Sequence, residues 1–293
     1  MATQNLKIIS TVHTAFYHPG VVARIGATLD QISHDRWALN IVSGWAENDF
    51  RMLDIPLLGH NKRYAWSTEF VQVLQKFWTE DWFDYTGEYF SINQGTCHPK
   101  PVQRPLLYNA GSSPVGRNFA AKYCDWYFAG AQSLDQLAQE IADVRTQAAQ
   151  HGREVKVIVY LFMLCRDIEE AAHEEVEEIF AHADFESAKD WLETLTGQTV
   201  GTVASTLGHG LSVEEMLRNV VLGVGSGKLI GTPEQVAQEP DQFQEAGVDA
   251  VGLTFRHVEE ELRDFVNKVF PILERKGVRR TLQTAPAPLL AAD

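Results

Sequence analysis

The stretch that decides the fold is VKVIVYLFML, residues 155–164, the longest apolar run in the chain. Its length and its β-branched and aromatic residues are typical of a strand that is buried on both faces. A strand with two buried faces needs cover on both sides of its sheet, as in parallel α/β proteins. We therefore expect strands and helices to alternate on either side of this run.

Five further segments have the character of core strands: 6–13, 37–42, 106–110, 125–129 and 248–254. Segments with helical spacing of apolar residues separate them, for example Leu137, Ile141 and Val144 within residues 134–150. This alternation predicts a parallel sheet with helical crossovers. A Rossmann arrangement is disfavoured, because no GxGxxG motif follows the first strand. An α/β barrel is therefore the leading architecture.

Two segments interrupt the alternation. Residues 82–104 begin with aromatic-rich runs around Thr86-Gly87, which predicts an inserted β-hairpin. Residues 185–227 are predicted to be a second, mobile insertion, in which the Gly- and Thr-rich part, 196–210, is expected to be a mobile loop. Pro240 falls inside a helical pattern and predicts two short helices or a kink. We expect one domain over residues 1–280 and a disordered tail over 281–293.

Composition narrows the classes of function. The 293 residues include 25 Lys and Arg against 39 Asp and Glu, a net charge of −14, which repels phosphate backbones and anionic lipids. Roles in binding nucleic acid or membrane surfaces are therefore disfavoured. The three cysteines, Cys97, Cys124 and Cys165, form no CxxC pattern and are expected to be reduced thiols. With no signal-peptide pattern and no run of 18 apolar residues, we expect a cytoplasmic protein.

Small polar residues follow the predicted strands, at the end where α/β barrels carry their active sites. Examples are Ser43-Gly44-Trp45 and Gly111-Ser112-Ser113. These strand ends contain no paired carboxylates, no Ser–His–Asp set and no spacing typical of metal ligands, so no metal site is predicted. A site with so few acids and bases favours chemistry that a bound organic cofactor supplies.

The best candidate for a phosphate site is Ser113, at the turn that opens a predicted helix. Backbone N–H groups and a hydroxyl at a helix start bind anions, although Ser113 could equally be an ordinary N-cap. Arg63 and Tyr64 could add a guanidinium and a phenol to the same phosphate. The alternative is a surface arginine beside a core tyrosine, and the residues alone leave both open.

Several motifs, in this order, resemble the bacterial-luciferase-like flavin-dependent monooxygenases, in their alkanesulfonate, dimethylsulfone and pyrimidine branch. The motifs are FYHPGVVARIGATLDQIS (16–33), NIVSGWAENDF (40–50), KRYAWSTEFVQVLQKFW (62–78), YFSINQGTCHPKPVQRPLLYNAGSS (89–113), KLIGTPEQVA (228–237) and AGVDAVGLTFRHVEEEL (246–262). The resemblance covers about residues 3–275 and implies a TIM-like (β/α)8 barrel. It also implies reduced FMN and O2 as co-substrates, a small-molecule substrate, a separate NAD(P)H flavin reductase and a homo-oligomer.

The resemblance assigns cofactor roles to individual residues. Asn40 matches the asparagine that bonds the flavin, and Asp49 stands where relatives often carry a glutamate. Arg63 and Tyr64 match a pair at the FMN phosphate and ribityl chain, and Ser113 matches the phosphate-binding serine of the GSS turn.

On the substrate side, His257 matches a family histidine and is the candidate catalytic residue, although a histidine that merely starts a helix is an equal alternative. Trp45, Phe162 and Phe255 are expected to line the substrate pocket. The sulfonate-cleaving members carry Arg and His where this chain has Tyr160 and Phe162, so a neutral substrate is expected.

The six predicted strands correspond to strands three to eight of the family. We therefore expect a barrel truncated at its N-terminus, without its first two βα units. Two other functions stay open. One is a deazaflavin-dependent oxidoreductase, and the other is a non-catalytic barrel that binds flavin weakly or serves as a partner subunit.

Overall fold

The computed structural model describes residue 3 and residues 5–130, 133–206, 211–223 and 227–278. Its strands are β1 (Ile8–His13), β2 (Trp37–Val42), β3 (Phe83–Thr86), β4 (Ser91–Gly95), β5 (Leu106–Asn109), β6 (Trp126–Ala129), β7 (Lys156–Cys165), β8 (Gly227–Gly231) and β9 (Ala250–Thr254). Its helices are α1 (Pro19–Ser33), α2 (Glu47–Met52), α3 (His60–Thr79), α4 (Pro114–Tyr123), α5 (Leu134–Gln150), α6 (Glu169–Ala181), α7 (Phe185–Thr196), α8 (Val200–Thr206), α9 (Val213–Val221), α10 (Pro233–Val236), α11 (Pro240–Glu245), α12 (Val258–Asp264) and α13 (Phe270–Arg275). A π-helical turn, Phe265–Val269, joins the last two helices.

The main sheet is parallel throughout and follows the order β1-β2-β5-β6-β7, with both β8 and β9 paired to β7. The ten residues of β7 pair with β6 over 156–159, with β9 over 158–162 and with β8 over 161–165. The predicted parallel sheet with helical crossovers is therefore confirmed. The apolar run at 155–164 falls within β7, which is the most extensively paired strand of the sheet.

The strand count of six is wrong, because the sheet has a seventh strand, β8. Its sequence, GKLIG, is short and bounded by glycines, so its strand character is weak. Within the described residues, β1 pairs only with β2 and β9 pairs only with β7, so the sheet does not close there. The loss of two βα units stays a prediction.

Alternate residues along the strands separate two faces of the sheet. One face, which includes Leu39, Leu107 and Tyr127, is fully buried in a large core with apolar side chains of the helices. The opposite face, called the inner face below, carries a separate cluster that includes Tyr108 and Phe128. Asn40 shares this face, because the register places it beside Tyr108.

The predicted hairpin is confirmed, since β3 and β4 pair antiparallel. It is joined to α3 by the buried Glu69, whose carboxylate accepts backbone N–H bonds of 2.8–3.1 Å from Glu88, Tyr89 and Phe90. The predicted break at Pro240 is also confirmed, because α10 and α11 are two short helices.

The second insertion is more ordered than predicted. Residues 200–206 form α8 where a mobile loop is expected, so that prediction is wrong over this helix. Helices α7, α8 and α9 pack together through apolar side chains that include Leu192, Val203 and Leu217. This burial stabilises α8, although its own sequence has only a weak preference for a helix. Residues 207–210 and the predicted tail 281–293 lie outside the described residues.

Candidate functional site

The turn between β5 and α4 is built by side chains that bond to the backbone. Ser113 is the N-cap of α4, and its Oγ accepts the N–H of Gly116 at 3.2 Å. Asn109, at the end of β5, accepts the N–H of Gly111 at 2.9 Å and donates to the carbonyl of Ile41 at 2.8 Å. The turn is thereby fixed against β2 and presents the positive end of a ten-residue helix, which favours an anion.

His60 lies beside Ser113, with 3.0 Å between its Nε2 and the Ser113 Oγ. The Nη2 of Arg63 is 3.3 Å from the His60 Nδ1. A guanidinium can only donate, so Nδ1 is the acceptor and the proton of a neutral His60 sits on Nε2, where it bonds to Ser113. Since Ser113 Oγ then accepts from both His60 and Gly116, its own hydroxyl proton can be donated to the neighbouring Tyr64 or to a ligand.

Tyr64 is buried beneath this turn, one helical turn after His60. A Cβ added at Gly111 would lie 2.2 Å from the Tyr64 hydroxyl, and one added at Gly116 would lie 2.6 Å from it. Both positions therefore need glycine for the phenol to reach the turn. Burial raises the pKa of Tyr64 against the opposing effect of hydrogen bonds to Ser113 and Ser43, so the phenol stays neutral.

A row of buried hydroxyls continues from Tyr64 towards β1. Ser67 donates to Ser43 at 2.8 Å, and it shares a hydrogen bond of 2.9 Å with Thr14. The indole of Trp66 also donates to the Thr14 carbonyl, at 3.0 Å. These bonds tie the carboxyl ends of β1 and β2 to α3, the helix that also carries Tyr64.

Asn40 lies on the inner face of β2 and donates from Nδ2 to Thr11 Oγ1 at 3.3 Å. Its Oδ1 is buried, yet it finds no hydrogen-bond partner among the residues that the structure describes. A buried acceptor without a donor costs roughly 1–3 kcal/mol. Such an oxygen is the group that a ligand N–H would satisfy.

The structure brings together Ser113, Tyr64 and Arg63, but it gives Arg63 an indirect position. The Arg63 Nη1 donates to the Leu58 carbonyl at 2.6 Å, and its buried Nε has no partner among the described residues. Arg63 therefore reaches the Ser113 turn through His60. No sequence motif points to His60, although its spacing of three and four residues from Arg63 and Tyr64 places all three on one face of α3.

The remaining predicted cofactor residue, Asp49, lies exposed on α2, and no hydrogen bond joins it to the Ser113 turn. Its charge acts instead on His13 at the end of β1, whose pKa burial lowers and Asp49 raises. Asp49 is thus placed near the end of β1.

Phe162 and Phe255, two predicted substrate residues, line one cavity of about 670 Å³ together with Tyr160, Thr254 and Arg256. The third, Trp45, is not among its lining residues. It is 44% exposed and meets Trp191 of α7 edge-on, with 6.1 Å between ring centroids.

His257, the predicted catalytic residue, does not line the cavity of the two phenylalanines. It begins α12, where its backbone N–H donates to Glu261 at 3.0 Å, and it lines a different groove on the surface with Glu259, Glu260 and Arg263. The geometry is therefore that of the alternative stated above, a histidine at the start of a helix.

Arg256, at the rim of the cavity, belongs to a cluster of four charged residues. Arg166, directly after β7, bonds to Glu175 at 2.6 and 2.7 Å and to the buried Glu261 at 3.0 Å. Arg256 adds a 3.2 Å bond to Glu175. Burial opposes the change, but the bonds to Arg166 and Arg256 lower the pKa of Glu175. Two cations and two anions balance, so the rim carries no net charge from this cluster.

Among the described residues, no helix is long and apolar enough to cross a membrane. No group of three or more His, Cys, Asp or Glu side chains there is arranged to hold a metal ion.

Comparison with known proteins identifies relatives of the chain. Residues 1–250 match the family model for luciferase-like monooxygenases. The chain is 34% identical over 290 residues to the FMNH2-dependent dimethylsulfone monooxygenase of Pseudomonas putida, covering 98% of this chain and 79% of the relative. It is 29% identical to the pyrimidine monooxygenase RutA of Yersinia enterocolitica, covering 94% and 75%.

Solved structures share the fold of this chain. The crystal structure of DmoA from Hyphomicrobium sulfonivorans superimposes with a TM-score of 0.85 at 25% identity, over 97% of this chain and 71% of that one. The parallel sheet and its helices are thus of the TIM-barrel type. The chain belongs to the luciferase-like monooxygenase family.

Proposed function

We propose that this monooxygenase uses reduced FMN and O2 to oxidise a small, neutral organic substrate, and that a separate NAD(P)H flavin reductase supplies the reduced FMN. The observation that carries the proposal is the turn at Ser113, where a helix N-terminus, the Ser113 hydroxyl, a neutral phenol and His60 converge. Each of these groups suits a phosphate monoester. Relatives named for FMNH2 support the same assignment.

The buried Oδ1 of Asn40 extends this fit to the flavin ring. Asn40 is on β2, the strand next to β5, so the ring would lie across neighbouring strand ends while its phosphate sits at Ser113. A ring N–H would supply the donor that Oδ1 lacks. Arg63 would act by holding His60, and Asp49 would stay at the outer side of the ring.

When bound, reduced FMN would activate O2, so that one oxygen atom of O2 reaches the substrate. The protein's own task is to bind, orient and exclude water. The row of hydroxyls from Thr14 to Tyr64 fixes the binding residues, and the cavity of Phe162 and Phe255 offers an apolar space at the same end of the sheet.

A neutral substrate agrees with the walls of that cavity. Tyr160 and Phe162 line it, and Arg256 at its rim is already paired with Glu175. An anionic substrate would have to compete with that carboxylate. Trp45 would close the pocket from the side of α7 through its contact with Trp191. The role of His257 as a catalytic residue has no support in this geometry, and a homo-oligomer stays a prediction.

The test couples the purified protein to an NADH-dependent flavin reductase with FMN, and dimethylsulfone and uracil serve as the first probes. We expect wild-type protein to bind FMN and to consume O2 in proportion to an oxidised product. A protein that binds FMN no better than the Ser113→Ala variant and forms no oxidised product from a panel of neutral compounds would establish the non-catalytic alternative. Activity with a reduced deazaflavin alone would establish the other.

A further inference from the structure

His13 occupies a position that the proposed function leaves unused. It is the last residue of β1, and the register pairs Thr11 with Asn40 and His13 with Val42. Since alternate residues share a face, the His13 imidazole and the Asn40 amide lie on the same inner face of adjacent strands. Asn40 and His13 therefore lie on neighbouring strands, and Ser113 follows β5, the strand on the other side of β2.

Two aromatic rings and one backbone hydrogen bond hold the His13 ring in place. It stacks on Phe16 with 3.9 Å between centroids and an 8° angle, and Phe50 meets its edge at 5.0 Å. The Ala15 N–H donates to its Nδ1 at 3.3 Å. A Cβ at Gly44 would lie 2.2 Å from its Nε2, so the turn after β2 needs a glycine to admit the ring. Gly44 also has a φ of +96°, which strains any other residue.

These contacts define the protonation state. Nδ1 accepts a bond, so the proton of a neutral ring sits on Nε2. Burial lowers the pKa of His13, with Arg63 acting in the same direction and Asp49 opposing, so the ring is neutral near pH 7. Those two residues are the charged groups that face it, from α3 and α2. In the described part of the chain, Nε2 has no hydrogen-bond partner.

We propose that His13 is a catalytic residue of the flavin site, whose neutral imidazole donates an Nε2–H hydrogen bond to the oxygen that is to be transferred. The proposal rests on the proposed function, because it places the reacting edge of the flavin beyond Asn40, at β1. It assigns His13 to the choice between two balanced reactions. In the productive one, FMNH2, O2 and substrate give FMN, oxidised substrate and water; in the wasteful one, FMNH2 and O2 give FMN and H2O2.

A neutral donor suits the productive reaction. Release of H2O2 requires protons to reach the departing oxygens, and an imidazolium would supply one readily. A neutral imidazole N–H holds the oxygen by a hydrogen bond but is far too weak an acid to protonate it. The apolar packing of the ring keeps it in that neutral form. Wasteful release of H2O2 should therefore rise as the pH falls through the pKa of His13.

The test compares two substitutions of His13 with a matched control. His13→Phe keeps the stacked ring but removes the N–H, and His13→Gln keeps a donor. His18→Phe is the control, because His18 also accepts a backbone N–H two residues ahead, from Gly20 at 3.1 Å, and packs on an aromatic ring, that of Phe90. FMNH2-loaded protein is mixed with O2, and the rate of H2O2 release is measured between pH 5.5 and 8.

We expect His13→Phe to release H2O2 on the order of tenfold faster than wild type and to lose the rise at low pH. His13→Gln should fall between the two, and His18→Phe should match wild type. A second readout needs no turnover: the NMR signal of His13, identified by its loss in a substituted protein, should shift when oxidised FMN is added.

The role of His13 is overturned if His13→Phe releases H2O2 at the wild-type rate, or if FMN does not shift the NMR signal of His13. In that case, FMN binding by the wild-type protein still upholds the proposed function. Wild-type protein that binds no FMN overturns both. If His13→Phe does not fold, the NMR titration of wild type and the rate for His13→Gln still decide the question.

Discussion

Replacing Ser113 by alanine is the sharpest test of the phosphate site. The substitution removes one oxygen that accepts bonds from the Gly116 N–H at 3.2 Å and from the His60 imidazole at 3.0 Å. The first bond caps α4, and its loss should lower the free energy of unfolding by about 1 kcal/mol. The second bond is solvent-exposed, so its loss should add little to that figure.

The effect on FMN should be larger than the effect on stability. In the proposed geometry the Ser113 hydroxyl proton bonds to a charged phosphate oxygen, and such a bond contributes about 1.5–3 kcal/mol. At 1.4 kcal/mol for each factor of ten, the Kd for FMN should rise about 10- to 150-fold. Binding is measured by titrating the protein into FMN and following the quenching of flavin fluorescence.

Ser133→Ala is the matched control. Ser133 caps α5 in the same way, accepting the Gln136 N–H at 3.3 Å, but it is not part of the Ser113 turn. It should lose a similar stability and leave the Kd unchanged. His60→Ala should weaken FMN binding less than Ser113→Ala, and the double variant should be non-additive because His60 acts through Ser113. If Ser113→Ala loses stability like the control but binds FMN as tightly as wild type, Ser113 is only a helix cap.

Three further substitutions test other parts of the structure. Gly111→Ala should weaken FMN binding, because its Cβ would lie 2.2 Å from the Tyr64 hydroxyl; unchanged titration curves would contradict this geometry. Glu69→Gln should cost about 2–3 kcal/mol in urea unfolding, since buried backbone donors lose a charged acceptor. Glu80→Gln, at the residue that follows α3, should cost less than about 1 kcal/mol, and equal losses would refute the role of the buried carboxylate. Glu175→Gln should destabilise the protein at pH 7, and the difference from wild type should shrink as the pH falls below the ordinary value of 4.5 and through the lowered pKa of this carboxyl. A difference that stays constant down to pH 3 would show that its paired arginines contribute nothing through charge.

The strands that can be predicted from sequence are those whose apolar and β-branched residues indicate that they are buried. Residues 155–164 had to be a strand with two buried faces, and β7 pairs with three neighbours. β8 lacks this signal, because its five residues owe their extended form to pairing with Leu161–Cys165 rather than to their own propensity. Helix α8 is a similar case, formed where burial of Val203 overrides a sequence rich in glycine and threonine.

The site divides in the same way. A sequence shows which residues follow a strand, but not which way a side chain turns beyond it. Ser113 can be predicted from sequence because a serine before a helical segment is typical of a helix cap. His60 cannot, because it meets Ser113 only when α3 packs against the turn. Trp45 and His257 follow strands as predicted, yet the first turns towards α7 and the second begins a helix away from the cavity.

The distribution of charge explains why the proposed cofactor site is built on the strands β2 and β5. With a net charge of −14, the protein as a whole repels a flavin phosphate, so binding must come from groups within a Debye length, about 8 Å in physiological salt. The Ser113 turn supplies them as the N-terminus of α4, Arg63 behind His60, and Arg117, which donates to the Ser112 carbonyl. The Asp143 carboxylate at 2.7 Å holds Arg117 in place and offsets its charge, so Arg63 and the N-terminus of α4 supply the remaining positive field. After β7 and β9, Arg166 and Arg256 are paired with Glu175. The β5 side of the sheet therefore suits an anion, and the β7 and β9 side suits a neutral compound.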